Sequence, residues 1–89
     1  MATDSITWVG MDVHKNSIKV AVLLPDQTDP VEWTEDTTVE AIRRLARRLQ
    51  RLAPGEVRSC YEAGPTGYAL QRQLRAAGVG CTVAARLWA

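Results

Sequence analysis

The sequence has 89 residues, which suffices for one small domain and is too short for two domains of ordinary size. Hydrophobic residues make up 46% and charged residues 24%, a balance typical of soluble globular proteins that excludes intrinsic disorder and a membrane-protein composition. The longest apolar run, residues 20–24, is far shorter than the roughly 20 residues that cross a bilayer. No signal peptide is recognisable, so we expect a cytoplasmic protein without membrane contact, in which Cys60 and Cys81 are reduced, small and buried.

The net charge of +1 conceals an uneven distribution of charged residues. Residues 1–40 carry a net charge of −6, whereas residues 41–89 carry a net charge of +7. Such polarity is compatible with a nucleic-acid-binding surface and equally with charge balance inside a small domain, and both interpretations stay open.

The first half of the sequence predicts three strands. Residues 6–11 form an apolar run, residues 18–24 begin with alternating apolar and polar positions, and residues 31–35 alternate apolar with acidic side chains. The polar turn at residues 13–17 predicts an antiparallel hairpin between the first two strands. The acidic positions of the third strand favour an edge strand with its charges in water.

A helix is predicted next. Its apolar stripe has helical spacing and comprises Val39, Ile42, Leu45, Leu49 and Leu52. Thr37 and Glu40 fit a capping box at its start. The opposite face carries Arg43, Arg44, Arg47, Arg48 and Arg51, which we expect outside the core, either solvated or along phosphates.

Residues 56–61 and 79–84 predict two further strands on either side of a second helix at residues 65–77. The order is therefore three strands, then helix, strand, helix, strand. Because crossovers through helices join parallel strands, we expect one mixed five-stranded sheet with helices packed on it. This is an α/β arrangement of the ribonuclease-H-like kind, which actin-like ATPases share.

Two carboxylates stand at predicted strand ends. Asp12 closes the first strand and Glu62 closes the fourth. If these strands are parallel neighbours, both carboxylates lie at one edge of the sheet and together could bind Mg²⁺ or Mn²⁺. The alternative is that Asp12 caps a turn and Glu62 pairs with an arginine.

Further candidates surround these acids. Lys15 could contact a phosphate, and Thr66 stands where backbone N–H groups at a helix N-terminus could face an anion. Tyr61 and Tyr68 could stack on nucleotides. The alternatives are that Lys15 is a solvated turn residue and that both tyrosines frame a packed rim.

Residues 9–15 (VGMDVHK) and 61–68 (YEAGPTGY) together resemble the N-terminal domain of DEDD-type insertion-sequence transposases with a RuvC-like domain, the IS one-ten group. The resemblance extends over about residues 8–83. It implies metal-dependent DNA cleavage and strand transfer, with Asp12 and Glu62 as the first two of four acids that bind Mg²⁺ or Mn²⁺. It also implies DNA partners (element ends and target), a structured guide RNA, a second domain and a possible homo-oligomer.

The resemblance ends at residues 85–89, and no acidic residue follows Glu62. We therefore expect a partial domain at residues 1–84, truncated after the fifth strand, with a divergent tail at 85–89 and no activity alone. An alternative is a non-catalytic module that binds nucleic acid or interferes with full-length transposase. An actin-like kinase or ATPase fragment is disfavoured, because the turn at residues 13–17 lacks the glycines that wrap phosphates.

Overall fold

A computed structural model describes residues 6–62 and 67–84. These residues form, in chain order, β1 (Thr7–Val13), β2 (Ile18–Leu23), β3 (Val31–Glu35), α1 (Val39–Leu52), β4 (Val57–Glu62), α2 (Ala69–Ala76) and β5 (Gly80–Ala84). The predicted order of elements is confirmed, and neither helix is long and apolar enough to cross a membrane.

The strands form one five-stranded sheet in the order β3-β2-β1-β4-β5. β1, β2 and β3 are antiparallel, whereas β4 runs parallel to β1 and β5 parallel to β4. This confirms the predicted α/β fold with a ribonuclease-H-like mixed sheet. The third strand lies at the far edge, as its acidic positions predicted.

Both helices pack on the same face of this sheet. Along β1, Val9 and Met11 are buried beneath the helices, while Trp8, Gly10 and Asp12 alternate with them and are exposed. The face opposite the helices, called the open face below, is uncovered within residues 6–62 and 67–84. Trp8 on this face is 52% exposed, which is unusual for so large an apolar side chain.

Helix α1 has the predicted orientation. Its buried positions are Ala41, Ile42, Leu45, Ala46 and Leu49, whereas its five arginines are exposed. The two end residues of the predicted stripe, Val39 and Leu52, lie past the edge of the core and are exposed. The apolar period therefore identified the correct face of the helix but overestimated how far the core extends along it.

The predicted capping box is wrong by one residue. Thr38, not Thr37, is the N-cap, and its hydroxyl accepts a hydrogen bond from the backbone N–H of Ala41 at 3.1 Å. Glu40 therefore stands at the second helical position instead of the third, where a capping-box glutamate belongs.

Helix α2 begins later than residue 65. Gly67 adopts a left-handed conformation with φ +60°, and Tyr68 is the non-helical N-cap, so the first helical residue is Ala69. The predicted positions 65 and 66 lie outside the described residues. At the other end, Gly78 has φ +88° and Val79 donates to the carbonyl of Leu74 at 2.9 Å, which ends the helix in a Schellman motif.

The two cysteines differ, although both were expected in the core. Cys81 is 4% exposed under α2, and burial raises the pKa of its thiol. Cys60 is exposed on the open face, so the prediction is wrong for this residue. Successive side chains of a strand point to opposite faces of the sheet. Because Ser59 and Tyr61 point into the core, Cys60 between them points to the open face.

Candidate metal-binding edge and nucleic-acid surface

Asp12 and Glu62 occupy adjacent strands at the carboxyl edge of the sheet. The register of β1 and β4 ends on the pair Met11 and Tyr61, both of which are buried. The following residues, Asp12 and Glu62, are both exposed and therefore lie side by side on the open face. Neighbouring strands are about 5 Å apart. The strand placement is as predicted, while binding of a metal by these carboxylates stays a prediction.

Asp12 lies close to His14, two residues along the chain, and to Lys19 on the neighbouring strand β2. Its Oδ2 lies 3.2 Å from Nε2 of His14, and both side chains are largely exposed. Lys19 faces Asp12 across the β1–β2 register. The backbone N–H of His14 donates to the carbonyl of Ser17 at 2.8 Å and closes the turn without help from the Asp12 carboxylate. Asp12 is thus exposed to water beside His14 and Lys19, where it is accessible to a ligand.

The open face divides into three rows across the strands. The row at the carboxyl edge contains Lys19, Asp12 and Glu62. The middle row contains the small side chains of Ala21, Gly10, Cys60 and Thr82 and continues to Glu32 on β3. The third row contains Leu23, Trp8 and Arg58, and the Arg58 guanidinium lies 5.8 Å from the centroid of the Trp8 ring. The acidic row is therefore separated from Trp8 by a shallow strip and stays open to a large ligand.

The donor set at this edge suits a hard divalent cation in kind, because carboxylate oxygens are its preferred ligands. The described ranges, 6–62 and 67–84, contain no group of three or more His, Cys, Asp or Glu side chains placed to hold a metal. A metal ion bound by Asp12 and Glu62 would therefore need further ligands.

Two of the three predicted nucleic-acid-binding residues, Lys15 and Tyr68, belong to the described part of the chain, in the segments that follow β1 and β4. Lys15 is exposed in the turn that follows β1, and Tyr68 is 51% exposed in the segment between β4 and α2. The packed-rim interpretation does not fit Tyr68 at this exposure. Thr66 lies outside the described residues. Lys15 follows β1 and Tyr68 follows β4, the two strands that carry Asp12 and Glu62 near their carboxyl ends.

Tyr61 is a packed residue, so the packing alternative applies to it and the stacking alternative does not. Its side chain is 2% exposed, so it cannot stack on a nucleotide. The hydroxyl donates to the carbonyl of Gly67 at 2.8 Å and accepts from the backbone N–H of Gln71 at 3.2 Å. Burial raises the pKa of this phenol. Since the N-cap residue Tyr68 offers no side-chain cap, Tyr61 caps α2 from the neighbouring strand. Tyr61 alternates with exposed residues along β4, and this two-residue period indicates in the sequence that its side chain faces the core.

A cation–π contact joins α1 to the edge strand. The Arg48 guanidinium lies 3.9 Å from the centroid of the Trp33 ring. The indole N–H of Trp33 donates to Oε2 of Glu35 at 2.8 Å, which holds the ring in place. Sequence analysis missed this contact, because residues 15 positions apart have no periodic relation.

Comparison with known proteins relates the chain to transposases, although no protein-family model matches it. The sequence is 38% identical over 79 residues to the transposase for insertion sequence element IS1533 of Leptospira borgpetersenii. It is 39% identical over 80 residues to a protein named as transposase y4qE of Sinorhizobium fredii strain NGR234. Each match covers 88% of this chain but only 22% and 20% of the respective relative, so the chain spans about a fifth of their length.

Among solved structures, the fold is similar to the ethanolamine utilization protein EutJ from Carboxydothermus hydrogenoformans. The TM-score is 0.60 over 89% of this chain and 36% of that protein, at 13% sequence identity. Likeness at this identity concerns the fold alone. The sequence similarity, in contrast, relates this chain to part of the insertion-sequence transposases.

Proposed function

We propose that this chain is the N-terminal, RuvC-like part of a DEDD-type insertion-sequence transposase of the IS one-ten group. The observation that carries the proposal is the placement of Asp12 and Glu62 on adjacent parallel strands, at one edge of a ribonuclease-H-like sheet. Both residues belong to a chain that is similar to named transposases over 88% of its length.

In this proposal Asp12 and Glu62 are the first two of four acids and would hold Mg²⁺ or Mn²⁺. Two divalent cations held at such a site would activate the attacking oxygen and stabilise the leaving oxygen of a phosphodiester. Lys15, Thr66 and Tyr68 would contact the nucleic acid near that edge. The complete transposase would use these groups to cleave and transfer DNA, with the element ends, the target and a structured guide RNA as partners and with self-association. This role places the protein in the cytoplasm.

The domain boundary proposed here is residue 84, followed by a divergent tail at residues 85–89 that lies outside the described residues. By itself the chain should not cut DNA, since two carboxylates hold a cation weakly when water supplies most of its ligands. A non-catalytic role, in which the chain binds nucleic acid or interferes with a full-length transposase, is the second candidate. The lack of a three-ligand metal group among residues 6–62 and 67–84 favours it.

Metal binding is tested by titrating Mn²⁺ into the ¹⁵N-labelled chain and following paramagnetic broadening of amide signals. Signals around Asp12 and Glu62 should broaden first. Removing a residue that only hydrogen-bonds to a metal ligand already costs roughly tenfold in metal affinity. Glu62→Gln removes a proposed ligand itself and should therefore lower Mn²⁺ affinity by at least that factor. Glu32→Gln is the matched control, because Glu32 is exposed on the edge strand and belongs to no proposed site. Equal broadening in both variants would contradict the proposed metal site.

Activity is tested by incubating the chain with Mg²⁺ or Mn²⁺ and a DNA that carries the element ends. We expect no cleavage. Metal-dependent cleavage that disappears in Asp12→Ala would show that this chain has a complete site and would contradict the proposal of a partial one.

A further inference from the structure

Helix α1 presents a continuous basic surface, called the arginine face below, which comprises Arg43, Arg44, Arg47, Arg48 and Arg51. All five side chains are exposed, while the opposite side of the helix is packed in the core. With about 100° per residue and 1.5 Å rise, they occupy roughly 140° of the helix circumference and about 12 Å of its axis. Their charges are therefore concentrated in one patch.

Carboxylates offset only part of the positive charge of the arginine face. Glu35 lines the same surface concavity as Arg44, Arg47, Arg48 and Arg51, so one acid faces four arginines there. The ion pairs between His14 and Asp12 and between Arg58 and Glu56 lie elsewhere in the described residues. Like charges spaced four residues apart along a helix are destabilising, as in the pair Arg43 and Arg47. An anionic partner would relieve this repulsion, so the surface favours an external polyanion.

The edge strand orients one member of the arginine face. Trp33 stacks on the Arg48 guanidinium, and Glu35 in turn holds the Trp33 ring. A guanidinium that is already ordered loses less conformational entropy when it contacts a ligand. The Trp33 contact therefore prepares Arg48 for binding and extends the arginine face towards the β3 edge of the sheet.

We propose that the arginine face binds the phosphate backbone of double-stranded DNA. Its length of about 12 Å corresponds to about three phosphates per strand of a duplex. The basic residues of this helix are all arginine, whose planar fork matches phosphate in bidentate geometry. A membrane surface is disfavoured, because the apolar side of α1 is buried in the core and cannot insert into lipid.

The arginine face is distinct from the proposed metal-binding edge. It lies on the helix side of the sheet, whereas Asp12 and Glu62 lie on the open face. DNA bound to α1 would thus be held by backbone contacts that position the duplex without reading its sequence. The choice of DNA as the polyanion rests on the proposed transposase function. The assignment of the binding surface depends only on the observations on α1. An experiment can therefore contradict the transposase function without contradicting the binding surface, and the reverse.

The test is fluorescence anisotropy of a labelled 30-base-pair DNA of arbitrary sequence, titrated with the 89-residue chain at 50 and 200 mM salt. The variant is Arg44→Gln/Arg47→Gln/Arg48→Gln. The control is Arg58→Gln/Arg72→Gln/Arg75→Gln, which removes the same charge from exposed positions elsewhere. If each arginine contacts one phosphate, the variant should lose at least about tenfold in affinity at 50 mM salt and lower the salt slope by about 3. The control should stay within about threefold.

Equal weakening by both triple variants, or no weakening by the α1 variant, would overturn the assignment. Stronger binding to phosphatidylserine vesicles than to DNA would overturn the choice of partner. Far-UV circular dichroism checks the fold, and if the triple variant is unfolded, Arg44→Gln/Arg47→Gln takes its place with an expected slope change of about 2.

Discussion

Replacement of Tyr61 by phenylalanine removes a single oxygen atom from the core and should destabilise the chain measurably. That oxygen makes two hydrogen bonds, to the carbonyl of Gly67 and from the backbone N–H of Gln71. The ring would remain packed at its 2% exposed position, so the cost comes from the unpaired groups and not from a large cavity. Each net hydrogen bond contributes about 0.5–1.5 kcal/mol, and the lost helix cap is included in that figure. The free energy of unfolding should therefore fall by about 1–3 kcal/mol.

Urea denaturation followed by far-UV circular dichroism measures this loss, and thermal denaturation should show a Tm lower by about 4–8 °C for each kcal/mol. Tyr68→Phe is the matched control, because it removes the same atom from a side chain that is 51% exposed. We expect the control to change stability by less than about 0.5 kcal/mol. Equal stability of Tyr61→Phe and Tyr68→Phe would refute the role of Tyr61 as the cap of α2.

Three further predictions concern the core. Leu49→Ala should lower the free energy of unfolding, measured by urea denaturation, by about 2–5 kcal/mol, because Leu49 is 0% exposed. Leu52→Ala should lower it by less than about 1 kcal/mol, because Leu52 is 37% exposed. Similar losses in both variants would contradict the burial of Leu49 in the core. A maleimide should modify Cys60 in the folded chain and Cys81 only after unfolding, as read by mass spectrometry, and equal rates would contradict the burial of Cys81. Because burial raises the pKa of Cys81, its contribution to stability is fully present below the thiol pKa of the unfolded chain and is lost as pH rises through the folded-state value. The urea midpoint should therefore fall above about pH 9, and less steeply in Cys81→Ala.

Local patterns in the sequence predicted the type and order of the elements, although they misplaced the N-terminal ends of both helices. The two-residue period of β1 and β2 and the apolar stripe of α1 predict which side chains are buried, because burial follows from the geometry of each element. The same patterns place Asp12 and Glu62 at strand ends, and the order of elements makes those strands neighbours. The fold class and the outline of the candidate edge therefore follow from local periodicity combined with the rule for parallel crossovers.

Tertiary structure decided the details that depend on distant parts of the chain. The capping of α2 by Tyr61 needs a strand and a helix to come together. The stacking of Trp33 on Arg48 likewise joins residues that only the packed structure makes neighbours. These contacts depend on three-dimensional proximity, which periodicity along the chain does not encode. The sequence by itself thus determined which face of each element is buried, and packing determined which side chains meet across those faces.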